Sequence, residues 1–558
     1  MNKYTISISL IIISFIASGN SWSRDYKKEC QEVAKYAIAN KYSALCSLDY
    51  HLFNAKPKKS LNIQKEAKAQ LKIAEFNAYH PGMAKTRFKD YQKIASLINK
   101  WDIIGMTELL PLVSDDLTHN NNLVKFIEIT APGKIDFYQK SLKDIQRKLK
   151  KTKSNYRRKS LLKKLNIKEK MITFYKAEIK KAKAHYRKPG YLKILDELHK
   201  LKSGKRWALV LSPIGEAAKV TDVHELVGYF YKSDMVKPYS NEYCKKTAKS
   251  KVSPFACIPT MDKKILGQDK NDVFSRRPFM ASFKAKSFNF TLLTSHVIYT
   301  SPKDHPELVS NILQKSFGVD HWKELSTGIN GGNFARFAEV KVTLELIQKL
   351  RTKYKQKDII YMGDLNLNHK NKFWNQVLSA APGFELYVEE KTSLSKARYN
   401  SNMEETNGFS NDFDHFLFDP SHTNECLGED AKANVKVENF YKGATGRYVK
   451  RLYEVRTKRI NENKYEYNKA KYKRLLDKFV APFENGEKTI MKIGNKKIIV
   501  SGKAHSVKGL IKDKRAVNLI TDFFQHRVLD SQLADQTYYV YYANLLSDHM
   551  PIVLTCNI

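Results

Sequence analysis

Several hydrophobic runs in this 558-residue chain end in carboxylate, amide or imidazole side chains. Asn77 closes "KIAEF", Glu108 follows "DIIGMT" and His296 follows "FTLLTS". Asp364 and Asn366 follow "IIYMG", Asp414 lies within "NDFDHFLF", and Asp548 and His549 follow "YYANLL". Carboxylates with amide and imidazole neighbours, and no cysteine cluster, suit a hard, oxygen-preferring cation: Mg2+, or Ca2+ or Mn2+. Two well-separated histidines, each with a carboxylate available to orient it, suit proton transfer in both directions. A metal with acid–base histidines is what phosphodiester hydrolysis needs: charge neutralisation at phosphate, an activated hydroxide and help for the leaving oxygen. Asp364 and Asn366 are two residues apart, so an extended chain turns both to one side. Gly363, lacking Cβ, lets the backbone approach its neighbours there. Taken singly, each residue has a structural reading. Asn77 is a turn residue, Glu108 an exposed strand end, the histidines satisfied packing residues and Asp414 a solvent-facing one. His224, His369 and His415 are left in that structural class. The ordered set of strand ends points instead to one convergent site.

The elements that must position these residues alternate. "LKIAEFNAYH" (71–80) and "DIIGMTELL" (102–110) read as strands around a helix over 88–101, with Ile94, Leu97, Ile98 and Trp101 on one face. Strands follow at 206–213, 225–236, 277–285, 288–298, 358–368, 411–420, 537–546 and 549–556, with a helix over 336–354. Strand–helix alternation predicts an α/β layered fold. Two stretches differ in texture. Residues from about 133 to 202 are rich in Lys and Arg, with sparse Leu and Ile at helical spacing, and predict basic amphipathic helices. Either a solvated spacer or a polyanion-gripping arm fits them. A second Lys- and Tyr-rich stretch covers roughly 435–533.

Lys and Arg number 98 against 57 Asp and Glu, a formal net charge of +41. That excess attracts polyanions, either nucleic acid, acidic polysaccharide or anionic membrane; a lysine-rich surface serving solubility is the plain alternative. The first 23 residues place Lys3 before an apolar run from Ile6 to Ala17, then small residues. This is a signal-peptide pattern, too short for a membrane span, and it predicts a secreted, extracellular or periplasmic protein. No later segment is apolar enough to predict a transmembrane helix. Six cysteines allow about 15 pairings. Cys30–Cys46 and Cys244–Cys257 would close local loops, leaving Cys426–Cys556.

With these motifs in order, "IAEFN", "IIGMTE", "TSH", "GDLN" and "SDHMPI", the sequence resembles the endonuclease/exonuclease/phosphatase superfamily, the deoxyribonuclease-I-like fold. "FSRRPF" (274–279) and "HELVGYFYKSDMV" are similar to its secreted deoxyribonuclease branch. The resemblance implies a four-layer α/β sandwich, two packed mixed β-sheets flanked by helices, here with two large basic helical insertions. It divides the chain into a signal peptide (1–23), a helical lead-in (24–68), catalytic parts (69–134, 205–430 and C-terminal strands 536–558) and the insertions (135–204 and 431–535). It implies roles as well. Glu108 is the leading metal ligand, helped by Asn77 and Asp548. His296 pairs with Glu225 and His549 with Asp414. Asp364 and Asn366 orient phosphate, metal or water. Arg276 and Arg277 contact substrate phosphate, although an acidic residue is common in the nucleases where Arg277 stands. The implied activity is a secreted metal-dependent nuclease, with DNA as partner. A secreted phosphodiesterase on phospholipid, sphingomyelinase-like, would use the same residues. A non-catalytic nucleic-acid-binding protein would be marked by a lost catalytic residue, and none is missing.

Overall fold

The computed structural model describes residues 53–55, 70–81, 89–110, 119, 122–123, 125–185, 187–201, 206–212, 225–247, 254–394, 408–428, 433–455, 489–493, 496–500 and 538–558. The signal-peptide stretch, Cys30 and Cys46 lie outside these residues.

Among the described residues sixteen strands follow in chain order. They are β1 (Phe53–Ala55), β2 (Gln70–Asn77), β3 (Ile103–Leu109), β4 (Trp207–Leu211), β5 (Leu226–Lys232), β6 (Lys237–Pro238), β7 (Ala256–Cys257) and β8 (Phe279–Ala285). Then come β9 (Phe288–His296), β10 (Ile359–Asp364), β11 (Glu385–Tyr387), β12 (Asp414–Phe418), β13 (Val435–Val437), β14 (Thr489–Ile493), β15 (Lys496–Val500) and β16 (Ile552–Asn557). One mixed sheet has the order β1-β4-β5-β3-β2-β16-β13. The second runs β11-β12-β10-β9-β8-β6, with β7 also on β8. Each contains one parallel pair, β2 with β3 and β9 with β10; the remaining neighbours are antiparallel. β14 and β15 form a separate hairpin.

The central strands are buried along their length, as strands covered on both faces must be. The sheets meet face to face. Gly105 in β3 leaves room for Met362 of β10, whose Cε would lie 2.4 Å from a Cβ there. Tyr229 of β5 stacks on Phe279 of β8 at 5.3 Å and donates its hydroxyl to the Phe279 carbonyl at 2.8 Å. Outside the first sheet lie α1 (Tyr91–Ile98) and α4 (Gly190–Lys200), which pack on each other, with α4 also against β4. Outside the second lie α5 (Pro306–Phe317) and α6 (Phe334–Tyr354), whose apolar residues share a core with Leu293, Tyr361 and Leu417. Helix, sheet, sheet, helix is the expected four-layer α/β sandwich. Between β3 and α4 the chain extends into a hairpin of two long helices, α2 (Ala131–Lys151) and α3 (Asn155–Ala184).

Three expectations need correction. The lead-in expected as helical contains β1, which pairs with β4 at the sheet edge. The second insertion does not begin cleanly at 431, because β13 joins β16 in the first sheet. Residues 537–546, expected as a strand from their Tyr and Val content, form helix α7 (Tyr538–Leu545). In the helix Tyr542 and Ala543 are buried, and Tyr542 packs against Tyr441 at 5.4 Å. Tertiary packing overrides a β-type composition there.

The disulfides Cys244–Cys257 and Cys426–Cys556 are both formed. Among the described residues no helix is long and apolar enough to cross a membrane.

Candidate active site

Strand direction brings the chemistry to one edge. β2, β3, β9 and β10 end there, with Asn77, Glu108, His296 and Asp364 at or near their last positions. β5, β12 and β16 run antiparallel to these strands and start at the same edge. Glu225 immediately precedes β5, Asp414 opens β12, and Asp548 and His549 precede β16. Register does the finer placement: Asp364 lies opposite His296 on one side and Asp414 on the other.

Two local backbone features aim the side chains. Between Met106 and Leu109 the β3–β5 register slips, and Glu108 takes a left-handed φ of 54°. A bulge of this kind redirects a side chain, and a non-glycine residue held at positive φ marks a position fixed by its surroundings. At Gly363 φ is 149°, and a Cβ would lie 1.9 Å from the Ser295 carbonyl oxygen. Only glycine lets β10 sit this close to β9.

Asp364 is the hub. Its Oδ2 accepts from Asn77 Nδ2 at 2.9 Å and lies 3.7 Å from His296 Nε2 and 3.5 Å from His549 Nε2. Its Oδ1 accepts from the Asn366 backbone N–H at 3.0 Å. Asn77 also donates to Glu108 Oε1 at 3.0 Å. Each histidine is backed by a second carboxylate. His296 Nδ1 donates to Glu225 Oε2 at 2.5 Å, and His549 Nδ1 donates to Asp414 Oδ2 at 2.7 Å. These bonds fix the rings and leave both Nε2 atoms directed at Asp364. Arg276 Nη1 lies 3.0 Å from Glu225 Oε2 and donates to the His296 carbonyl at 3.3 Å. Ser547 fastens the C-terminal loop, donating to the Asn77 carbonyl at 2.6 Å and accepting from the His549 N–H at 3.0 Å.

Burial and charge compete at every group. Burial opposes the His296 imidazolium, yet Glu225 raises its pKa against the added opposition of Arg276. Burial likewise opposes charge on His549, but Asp414 and Asp364 raise its pKa well above the ordinary value, with Asp548 adding to them. Burial would raise Glu225; the charge of His296, hydrogen bonds from His296 and His80, and Arg276 hold it well below the usual carboxylate range. Asp364 is pushed up to about 6 by burial and by Asp414, while the two histidines pull it down.

The structure therefore brings together Asn77, Glu108, Glu225, Arg276, His296, Asp364, Asp414 and His549, with Asn366 beside them. Asn366 turns its amide to the Val297 carbonyl at 3.0 Å, so its side chain supports the β9 end. Arg277 donates to the Pro259 carbonyl at 3.4 Å and to Asn271 at 3.3 Å. Two residues of the site escaped the sequence reading. His80 Nε2 lies 3.2 Å from both Glu225 and Glu108. Glu75 is wholly buried, and burial together with the charges of Asp414 and Asp364 raises its pKa well above the ordinary value. Its signal was present: it lies two residues before Asn77 on a strand, hence on the same side.

Glu108, His296 and Asp364 can each turn one ligand atom to a common point, with these atoms within 4.8 Å of one another; so can Asp364, Asp414 and His549. Three carboxylates with imidazole, and no thiolate, fit a hard divalent cation. Such an ion would neutralise phosphate charge and lower the pKa of water.

No family model matches the chain, and no curated protein matches it. Solved structures do. An endonuclease/exonuclease/phosphatase family protein from Bacteroides thetaiotaomicron is similar at 10% identity, over 87% of this chain and 97% of that one, with a TM-score of 0.28. D. rerio TDP2 complexed with single strand DNA product is similar at 13% identity, over 67% and 89%, with a TM-score of 0.27. The human Nocturnin catalytic domain with bound sulfate anion is similar at 10% identity, over 68% and 90%, with a TM-score of 0.27. The neighbours named as family members belong to the endonuclease/exonuclease/phosphatase family, whose motifs the sequence resembles.

Proposed function

We propose that this chain is an exported, divalent-metal-dependent phosphodiesterase that cleaves nucleic acid, with DNA as its substrate. The observation that carries the reading is the pair of carboxylate-backed histidines facing one carboxylate, Asp364, with Glu108 and Asn77 alongside. In this reading Glu108 and Asp364 hold the cation, Asn77 holds both carboxylates in place, and the histidines move protons at their Nε2 atoms. Arg276, beside His296, receives phosphate charge. Asp548 adds negative charge near His549. Export is supported by the two disulfides, which persist in oxidising compartments. The +41 charge supports a polyanionic substrate. Incubating plasmid with the folded protein and Mg2+, with and without EDTA, tests the reading. Metal-dependent nicking supports it, and intact plasmid under every metal tried overturns it.

A second reading, hydrolysis of a phospholipid diester, is favoured by one observation. The basic helical hairpin exposes Phe137, Ile167 and Phe174, apolar groups the sequence alone did not place on its outer surface. Assaying choline-phosphate release from sphingomyelin vesicles beside plasmid nicking separates the two substrates.

A further inference from the structure

The α2–α3 hairpin contributes no residue to the site, and its outer surface is unusual. Among the described residues ten large hydrophobic side chains are exposed, and six of them, Ile129, Phe137, Tyr156, Leu162, Ile167 and Phe174, lie on the hairpin or the turn leading into it. The two helices pack along one another, with Ile145 of α2 buried and Tyr138 of α2 and Tyr175 of α3 half-buried. Tyr138 stacks on Tyr175 at 6.1 Å. The exposed set is therefore additional to the residues that hold the hairpin together.

Its spacing is ordered. Tyr156, Ile167 and Phe174 are 11 and 7 residues apart, about three and two helical turns, so they form one stripe along α3. Lys163 and Lys170, both exposed, fall along the same stripe at 7-residue steps from Tyr156. Residues 131–184 carry 19 Lys and Arg against 4 Asp and Glu.

The hairpin also has a defined position. The chain leaves β3 at the end that carries Glu108. It returns through α4 into β4, which runs parallel to β3 because both are antiparallel to β5.

Tyr, Ile and Phe interleaved with lysines on one stripe, on a helix too polar to span a bilayer, suit a helix lying in the headgroup region. There Tyr, Ile and Phe reach the acyl boundary and the lysine stems snorkel upwards. Nucleic acid accounts for the lysines and aromatics, but exposed Ile129, Leu162 and Ile167 add nothing to a phosphate or a base edge. We infer that the α2–α3 hairpin docks the protein on an anionic phospholipid surface. This holds whichever phosphodiester the site cleaves, because docking is read by binding.

The test is flotation of the full-length protein with vesicles of phosphatidylcholine alone and with an equimolar mixture of phosphatidylcholine and phosphatidylglycerol. The wild type is expected on the anionic vesicles only. Tyr156→Ser/Ile167→Ser/Phe174→Ser leaves the charge unchanged and should weaken that binding about tenfold or more. Lys163→Glu/Lys170→Glu should weaken it too, and more so at low salt. Thermal melting checks that both variants are folded; if the Ser variant is not, the Glu variant alone decides. The inference is overturned if folded wild type does not float with anionic vesicles. It is also overturned if a folded Ser variant floats as well as wild type, or if that variant loses only binding to a single-stranded oligonucleotide.

Discussion

His296 and His549 face the same carboxylate and differ in what stands behind them. His296 is backed by Glu225, itself shared with Arg276 and His80, whereas His549 is backed by the fully buried Asp414. Glu225 raises the His296 pKa, so Glu225→Gln must lower it. The limb of the pH–rate profile that His296 controls should move to lower pH by about 1–3 units. Movement of the acid limb assigns His296 as base, and movement of the alkaline limb assigns it as acid. An unmoved profile removes His296 from proton transfer. His296→Ala and His549→Ala should each lower kcat by about 10²–10⁴-fold. Melting temperature should fall as well, since each change leaves a buried carboxylate, Glu225 or Asp414, without its imidazole partner. At this scale the sequence was informative where a residue type is costly to bury without purpose. Glu75 shares Asn77's side of the strand, but nothing in "KIAEF" says whether that side meets water or Asp414. That difference lies in the packing of a second sheet some 340 residues away in the chain.

Elements aim these residues, and one buried acid reports on how they are braced. Glu339 of α6 accepts the Ser275 N–H at 2.9 Å, fixing the turn that presents Arg276. Burial pushes its pKa up to about 7, from 4.5. The native state therefore holds a proton that the unfolded chain has already released between those values. The stability from this group is whole below about pH 4 and is lost as pH rises towards 7, a loss on the order of 3 kcal/mol. Glu339→Gln keeps the oxygen acceptor and cannot ionise, so urea unfolding should show a flatter stability profile over that interval than wild type. Parallel profiles would mean that Glu339 is not the proton carrier. The sequence made the long elements legible: α6, β3, β9 and β10 follow from periodicity and composition. It did not reveal the β3 bulge at Glu108, which exists only through pairing with β5. Nor did it reveal α7, where Tyr-rich composition favours a strand until Tyr441 and the sheet edge supply a helix with its partners. Gly363 shows the opposite case. Its close approach was expected from glycine chemistry alone, and the Ser295 carbonyl is the group approached.

At the scale of the molecule, the site depends on joining the two ends of the chain. Asn77 lies near one end and His549 near the other, and they meet because β16 inserts between β2 and β13. The order of motifs in the sequence implied that meeting, but the two basic stretches hid how it is secured. The structure supplies two fastenings: Ser547 hydrogen-bonded to the Asn77 carbonyl, and Cys556 of β16 bonded to Cys426. The Cys426–Cys556 bridge spans 130 residues and includes the second basic stretch, whereas Cys244–Cys257 spans 13. A cross-link limits the unfolded chain more when the loop it closes is longer. Chain entropy gives about 5 kcal/mol for the long loop and about 3 kcal/mol for the short one. Cys426→Ser/Cys556→Ser should therefore lower the urea midpoint more than Cys244→Ser/Cys257→Ser. Function should divide the two further. Loosening β16 displaces His549 relative to Asp364, so activity in the long-loop variant should fall before global unfolding as urea is raised. The short-loop variant, whose bridge joins the helical turn at Glu242–Thr247 to β7, should lose activity and fold together. If both variants lose activity and structure in one step at the same urea concentration, β16 is held by its sheet hydrogen bonds, and the disulfide is not what keeps His549 in place.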